Sequence, residues 1–330
     1  MQRRTFIRHA GLGLSALTAA TATFGQDASK NTILYVGYPP GGSPDLVART
    51  ISRRLGELLD RNIIIENRTG AAGNLAMEAV KHAPPDGSAL VLSPSPPVVL
   101  APLLYPKLPY RVPADFSFIG RVVNFELALV VHTNHPAKTA REFIEWARKN
   151  PANANYAVPG VGSTPHFLGY LIGKSGGFDY RVVGYRGGPQ LMTDLLGGHV
   201  TSAISVLSNF VQDHRKGTLR VLATTGAQRS ALLPEVPTLA EAFDMPAMRE
   251  ATTVVEWYGM LAPAGTPAPM LQKIYAAIAD TMKDKAIHEL LASQGHDPAP
   301  MPGPQFSDLV LQSQDRWGKV IKESGFKLES

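Results

Sequence analysis

From Thr32 onward the chain alternates short apolar runs with amphipathic segments, and Gly- and Pro-rich turns separate them. This alternation constrains the fold more than any other feature of the sequence, because it is the mark of βα units and a mostly parallel sheet. Thr32–Gly37 reads as a strand. Tyr38–Asp45 is a tight loop, and the helix after it carries Val47, Ile51, Leu55, Leu58 and Leu59 at helical spacing. Ser43 is expected to cap that helix, with Pro44 preorganised for its first turn. Asn62–Asn67, Ala89–Ser93, Phe116–Arg121 and Leu127–His132 are further strands, with helices at Ala71–His82 and near Val98–Tyr105. A second lobe begins near Phe125 and repeats the alternation through Leu219–Thr224. An apolar strand, Val254–Leu261, then leads to helices at Pro269–Lys283, Asp284–Gln294 and Pro304–Glu323. A chain of 330 residues is long enough for two such units, each with its own core.

The N-terminus reads as an address. Arg3, Arg4 and Arg8 precede a mild apolar run, Ala10 to Ala22, that contains no acid. The order Gln2-Arg3-Arg4-Thr5-Phe6-Ile7-Arg8 resembles a twin-arginine export signal, and cleavage is expected between Ala22 and Gln26, giving a signal at 1–26. The chain carries 32 Lys and Arg against 27 Asp and Glu; removing the three Arg of the signal leaves 29 against 27, a net charge of about +2. The basic excess therefore gives no ground for nucleic-acid binding, and no cluster of Lys or Arg interleaves with aromatics. No Cys is present, which excludes disulfides, thiolate metal sites and lipid attachment at Cys.

Enzyme signatures fail one by one. Gly169 to Ser175 resembles a phosphate loop, but Leu168 stands where its first Gly is required. The dinucleotide fingerprint fails at Pro165. His132 and His135 lie in a loop-like run without a nearby carboxylate, so no metal or cofactor is expected. Ser163 and His166, three apart at a helix start, are the one arrangement that suggests a hydrolase dyad, although no GxSxG elbow surrounds Ser163 and a capping role for the first turn competes with it.

Two Gly-rich loops remain, one in each half: Tyr38-Pro39-Pro40-Gly41-Gly42-Ser43-Pro44-Asp45 and Gly160-Val161-Gly162-Ser163-Thr164-Pro165. Each opens a helix, and a helix start offers unpaired N–H groups with roughly half a positive charge. Such a loop can hold a carboxylate without Lys or Arg. Tyr185-Arg186-Gly187-Gly188-Pro189 is a third candidate of the same kind.

The first loop with Ala48-Arg49, then Glu66-Asn67-Arg68-Thr69-Gly70-Ala71-Ala72-Gly73-Asn74, resembles the start of the Bug (TctC) family, the extracytoplasmic solute receptors of tripartite tricarboxylate transport systems. The resemblance continues in order through Pro85-Asp86-Gly87, Gly160 to His166, Tyr185-Arg186-Gly187, Leu233 to Thr238 and Trp257-Tyr258-Gly259 with Ala262 to Pro267. It implies a two-lobed α/β periplasmic binding-protein fold of the type II-like kind, each lobe a mostly parallel sheet flanked by helices, with crossing hinge strands. The lobes are then 27–124 plus 253–330 and 125–252, hinged near Asn124–Glu126 and Thr252–Val254.

The resemblance further implies a periplasmic monomer that closes on a small organic carboxylate, mono- or dicarboxylate and aromatic acids included, and delivers it to a tripartite tricarboxylate-type permease or a sensor. Contacts carry over to Tyr38, Pro39, Gly41, Gly42, Ser43 and Asp45, to Ser93 and Ser95, to Gly160, Gly162, Ser163, Thr164 and His166, and to Asp194 and Ser205. Asp194 has two readings, a partner for a ligand amino or hydroxyl group or a group that satisfies backbone N–H near a helix end. Arg186 either pairs with an acidic ligand or braces its loop. The sequence departs from the family pattern at Ala157-Val158-Pro159 and in the proline-rich Ser93-Pro94-Ser95-Pro96-Pro97. Both segments are expected to border the cleft.

Overall fold

The structure is a computed structural model that describes residues 31–243 and 256–328. The expected signal at 1–26 and the expected crossing at Thr252–Val254 lie outside the described residues. The chain runs β1 (Asn31–Val36), α1 (Ser43–Leu59), β2 (Asn62–Asn67), α2 (Asn74–Lys81), β3 (Ala89–Pro94), α3 (Ala101–Leu104) and β4 (Phe116–Phe125). It continues as β5 (Leu127–His132), α4 (Ala140–Lys149), β6 (Asn155–Val158), α5 (Thr164–Gly176), β7 (Arg181–Gly184), α6 (Gly188–Leu196), β8 (Ser202–Val206), α7 (Val211–Lys216), β9 (Leu219–Thr224) and α8 (Leu239–Ala242). Then follow β10 (Glu256–Pro263), α9 (Ala268–Lys283), α10 (Lys285–Ser293), β11 (His296–Pro302) and α11 (Gly303–Ser324).

These strands form a six-stranded sheet, in the order β11-β4-β10-β3-β1-β2, and a five-stranded sheet, in the order β7-β6-β8-β5-β9. The two-lobed α/β architecture is as expected, but each sheet is mixed rather than mostly parallel. β1 runs parallel to β2 and β3, and β6 to β7 and β8. β10 is antiparallel to β3 and β4, and β5 to β8 and β9. The antiparallel half belongs to the strands next to the passage between lobes, which run against the βα units. Only Glu126 separates the end of β4 in one sheet from the start of β5 in the other, and β10 pairs back at that point, Glu256 opposite Phe125 and Trp257 opposite Asn124.

Burial follows the periodicity. On α1, Val47, Ala48, Ile51, Leu55 and Leu59 are buried, whereas Leu58 only partly covers the core. Each buried Val, Ile or Leu of this face contributes about 1.5–3 kcal/mol by leaving water. Three elements escape the sequence pattern. The helix expected near Val98–Tyr105 begins earlier, as a wide π turn over Pro96–Leu100 that passes into α3. α8 is set by a capping box in which Thr238 and Glu241 exchange hydrogen bonds. The Pro-rich β11 is an edge strand, where a missing N–H leaves no ladder bond broken on the open side.

Candidate functional site

A cavity of about 230 Å3 lies between the lobes. The β1–α1 loop contributes Tyr38, Pro39, Gly41, Gly42, Ser43 and Pro44 from one side; the β6–α5 and β7–α6 turns contribute Pro159, Ser163, Pro165, Gly187, Gly188 and Pro189 from the other. Three helix starts therefore meet at one space. Their local chemistry is the same. Gly42, Ser163 and Gly187 are the N-cap residues, followed by Ser43-Pro44, Thr164-Pro165 and Gly188-Pro189, and no side chain caps any of the three. By contrast, Thr139 caps α4 by accepting from the Glu142 N–H. The first N–H groups of a helix have no partner within it, so the three starts present donors and partial positive charge to the cleft. Among the described residues no Lys or Arg lines the cavity.

The hydroxyl groups expected to cap are engaged elsewhere. Ser43 lies one residue inside the helix; its Oγ accepts from the Tyr258 hydroxyl at 2.8 Å and stands 2.7 Å from Nε2 of His296. Ser163 occupies the cap position but donates to the Gly160 carbonyl at 2.6 Å. The same bond disposes of the dyad geometry. His166 Nδ1 instead accepts the Gly162 N–H at 3.2 Å, and burial pushes the imidazole down to about 4. Sharing a helix face did not bring Ser163 and His166 together, because the N-cap side chain turns back onto its own loop.

Other expected contacts separate into wall and support. Tyr38, Pro39, Gly41, Gly42, Ser43, Ser163 and Ser205 line the cavity. Asp45 does not: it is 1% exposed and accepts from the Gly41 N–H, Arg49 Nε and Asn67 Nδ2 at 2.8–2.9 Å, holding the loop from beneath. Burial opposes its ionisation, but the hydrogen bonds from Arg49, Gly41 and Asn67 outweigh burial and keep the carboxyl below its usual range. Ser93 donates to the Pro94 carbonyl at 3.0 Å, and Ser95 donates to Glu256 at 2.7 Å. Thr164 is buried behind the wall, and Gly160 and Gly162 shape the turn beneath it. Asp194 also lies outside the cavity and fits neither expected reading, since it accepts the Tyr185 hydroxyl at 2.6 Å. Arg186 is exposed and off the wall.

The structure adds wall residues that no local motif announces. Phe125 and Tyr258 stack at 4.5 Å between ring centres, and both line the cavity, as do Met192, Asn209 and Glu256. Pro94, Pro96 and Pro159 confirm that the two divergent segments border the cleft. Gly187 closes it on one side: with φ at 113° it sits in the region glycine favours, and a Cβ there would lie 3.3 Å from Cδ of Pro39 in the other lobe.

Two α/β lobes enclosing a ligand-sized cavity, with helix starts on its wall, define the periplasmic solute-binding class of protein. The chain matches the tripartite tricarboxylate transporter family receptor over residues 47–326, and it belongs to that family. It is similar to the protein BugT of Bordetella pertussis, with 30% identity over 297 residues covering 90% of each chain. Among solved structures it is similar to MatC from Rhodopseudomonas palustris with bound malate, at a TM-score of 0.80 and 28% identity over 88% of this chain and 98% of that one. A second R. palustris protein, solved with adipate, superposes at a TM-score of 0.84 and 27% identity over 89% of this chain and 97% of its own. No helix among the described residues is long and apolar enough to cross a membrane.

Proposed function

We propose that this protein is an exported, monomeric periplasmic receptor whose lobes close on a small organic carboxylate and deliver it to a permease of the tripartite tricarboxylate type. Residues 1–26 serve as its export signal, and the lobes 27–124 with 253–330 and 125–252 hinge near Asn124–Glu126. One observation carries the reading: three uncapped helix starts converge on a cavity that, among the described residues, has no Lys or Arg in its wall. Closure removes water from these donors, and a hydrogen bond to a charged group strengthens as water leaves. The ligand drives closure only by its extra affinity for the closed form. The volume, about 230 Å3, is below the ~300–1,000 Å3 usual for drug-sized ligands and suits a small solute. Malate in MatC and adipate in the second R. palustris protein support the same ligand class.

The test is a thermal-shift and calorimetric screen of solute-free protein against mono- and dicarboxylates, aromatic acids among them. Saturable binding of at least one acid is expected. A flat response across the panel removes the carboxylate assignment, and carboxylester turnover abolished by Ser163→Ala would restore the hydrolase alternative.

A further inference from the structure

Among the described residues the cleft wall carries one carboxyl-bearing side chain, Glu256. Glu256 stands on β10 beside the crossing, opposite Phe125, and is 3% exposed. Its Oε2 accepts the Ser95 hydroxyl at 2.7 Å. The Thr164 hydroxyl of the other lobe stands 3.2 Å from that of Ser95, so Ser95 links it to Glu256. Among the described residues no Lys or Arg forms an ion pair with it; Tyr38 and Tyr258 line the cleft with it, and Arg121 and Arg316 line a second cavity that Glu256 and Ser95 also border. Burial raises its carboxyl to about 7.

This carboxyl divides the cleft into two unlike ends. Thr164 is the first residue of α5, and Ser95 ties it to Glu256, so the ionised carboxylate lies toward that helix start and offsets its partial charge. Among the described residues the starts of α1 and α6 have no such partner on the wall, and Pro39 and Gly187 bring their loops together. A carboxylate has about four acceptor positions, and the Ser95 hydroxyl fills one of them. A second anion placed beside the ionised Glu256 would meet like charge in a water-poor cleft whose described lining holds no Lys or Arg. A donor group placed there would complete the acceptor's hydrogen bonding.

We infer that Glu256 determines ligand specificity: the α1 and α6 starts take the solute's carboxylate, and Glu256 takes a hydrogen-bond donor at its far end, a hydroxyl or an ammonium. The site thus selects hydroxy- or amino-substituted monocarboxylates over dicarboxylates of equal length. This deepens the carboxylate reading above and rests on it.

Two matched series test it by calorimetry: benzoate, 4-hydroxybenzoate and terephthalate, then hexanoate, 6-hydroxyhexanoate, 6-aminohexanoate and adipate. In the unaltered protein the donor-bearing member of a series binds roughly tenfold or more tightly than the dicarboxylate, the scale of one charge-assisted hydrogen bond. The hydroxy and amino arms distinguish the two donor types. In Glu256→Gln, which keeps shape and loses charge, the preference over the dicarboxylate shrinks at least severalfold. A dicarboxylate that binds tightest to the unaltered protein overturns the inference, and needs no variant. An unchanged preference in Glu256→Gln also overturns it while leaving the carboxylate reading intact. Failure of every acid to bind removes both.

Discussion

The Tyr258 hydroxyl reaches from the middle of the first sheet to Ser43 Oγ at 2.8 Å, at the first turn of α1. Ser43 in turn stands 2.7 Å from Nε2 of His296, so β10, α1 and β11 meet in one buried chain of hydrogen bonds that runs from the cleft wall inward. Tyr258→Phe removes the first link and leaves the ring stack with Phe125. The expected cost is about 1 kcal/mol of stability, read by denaturant unfolding, together with weaker ligand binding because the α1 start loses a brace. A variant as stable as the unaltered protein and unchanged in affinity would show that the contact does not position the loop.

Gly187 occupies a left-handed region and approaches Pro39 across the cleft. Gly187→Ala adds a methyl group where both the backbone and the facing lobe resist it. The expected result is a loss of about 1 kcal/mol or more in stability and a larger loss of affinity, since the closed form bears the clash with Pro39. Equal affinity at reduced stability would place the effect in the backbone alone.

Asp45 supports the first loop from below. In Asp45→Asn the bond from the Gly41 N–H and the ion pair with Arg49 weaken, with an expected loss of about 1–2 kcal/mol at neutral pH. Because the carboxyl is held below its usual range, its contribution is present above the unfolded value of 3.8 and disappears as pH falls through the folded one. The difference between variant and unaltered protein is expected to narrow under acid conditions; a difference independent of pH contradicts the role.

Glu256 gives the opposite sign. Its carboxyl titrates near 4.5 in the unfolded chain and about 7 in the fold, so between these values the folded state holds the extra proton and stability falls as pH rises. His296, pushed by burial from 6.5 down to about 4, acts in the other direction, costing stability as pH falls across that window. Glu256→Gln removes only the first effect. Relative to the unaltered protein the variant is expected to gain roughly 3 kcal/mol between pH 4.5 and 7, whatever pH-independent cost the lost hydrogen bonds carry. Urea melts at a series of pH values read this difference, and a flat profile rejects the assignment.

Local signals in the sequence located those parts of the site that are built locally. The Gly-Gly-Ser-Pro, Ser-Thr-Pro and Gly-Gly-Pro turns are contiguous, and each lines the cavity as a helix start. Phe125, Glu256 and Tyr258 come from strands, where one apolar run looks like another and only sheet order decides which side chain meets the cleft. Asp45 and Asp194 are expected as ligand contacts only through the family resemblance. In the fold each is occupied, by the Gly41 N–H, Arg49 and Asn67 in one case and by Tyr185 in the other. The mixed sheets arise from the passage between lobes, a long-range arrangement that strand patterns alone do not encode.

The central claim is that backbone helix starts, rather than cationic side chains, hold the solute's negative charge. Calorimetry of the tightest-binding carboxylate against its primary amide tests this most directly, since the amide keeps size and shape and loses the charge. The carboxylate is expected to bind at least tenfold more tightly than the amide, a difference on the order of 1.4 kcal/mol. An amide that binds as well as the acid would contradict the account.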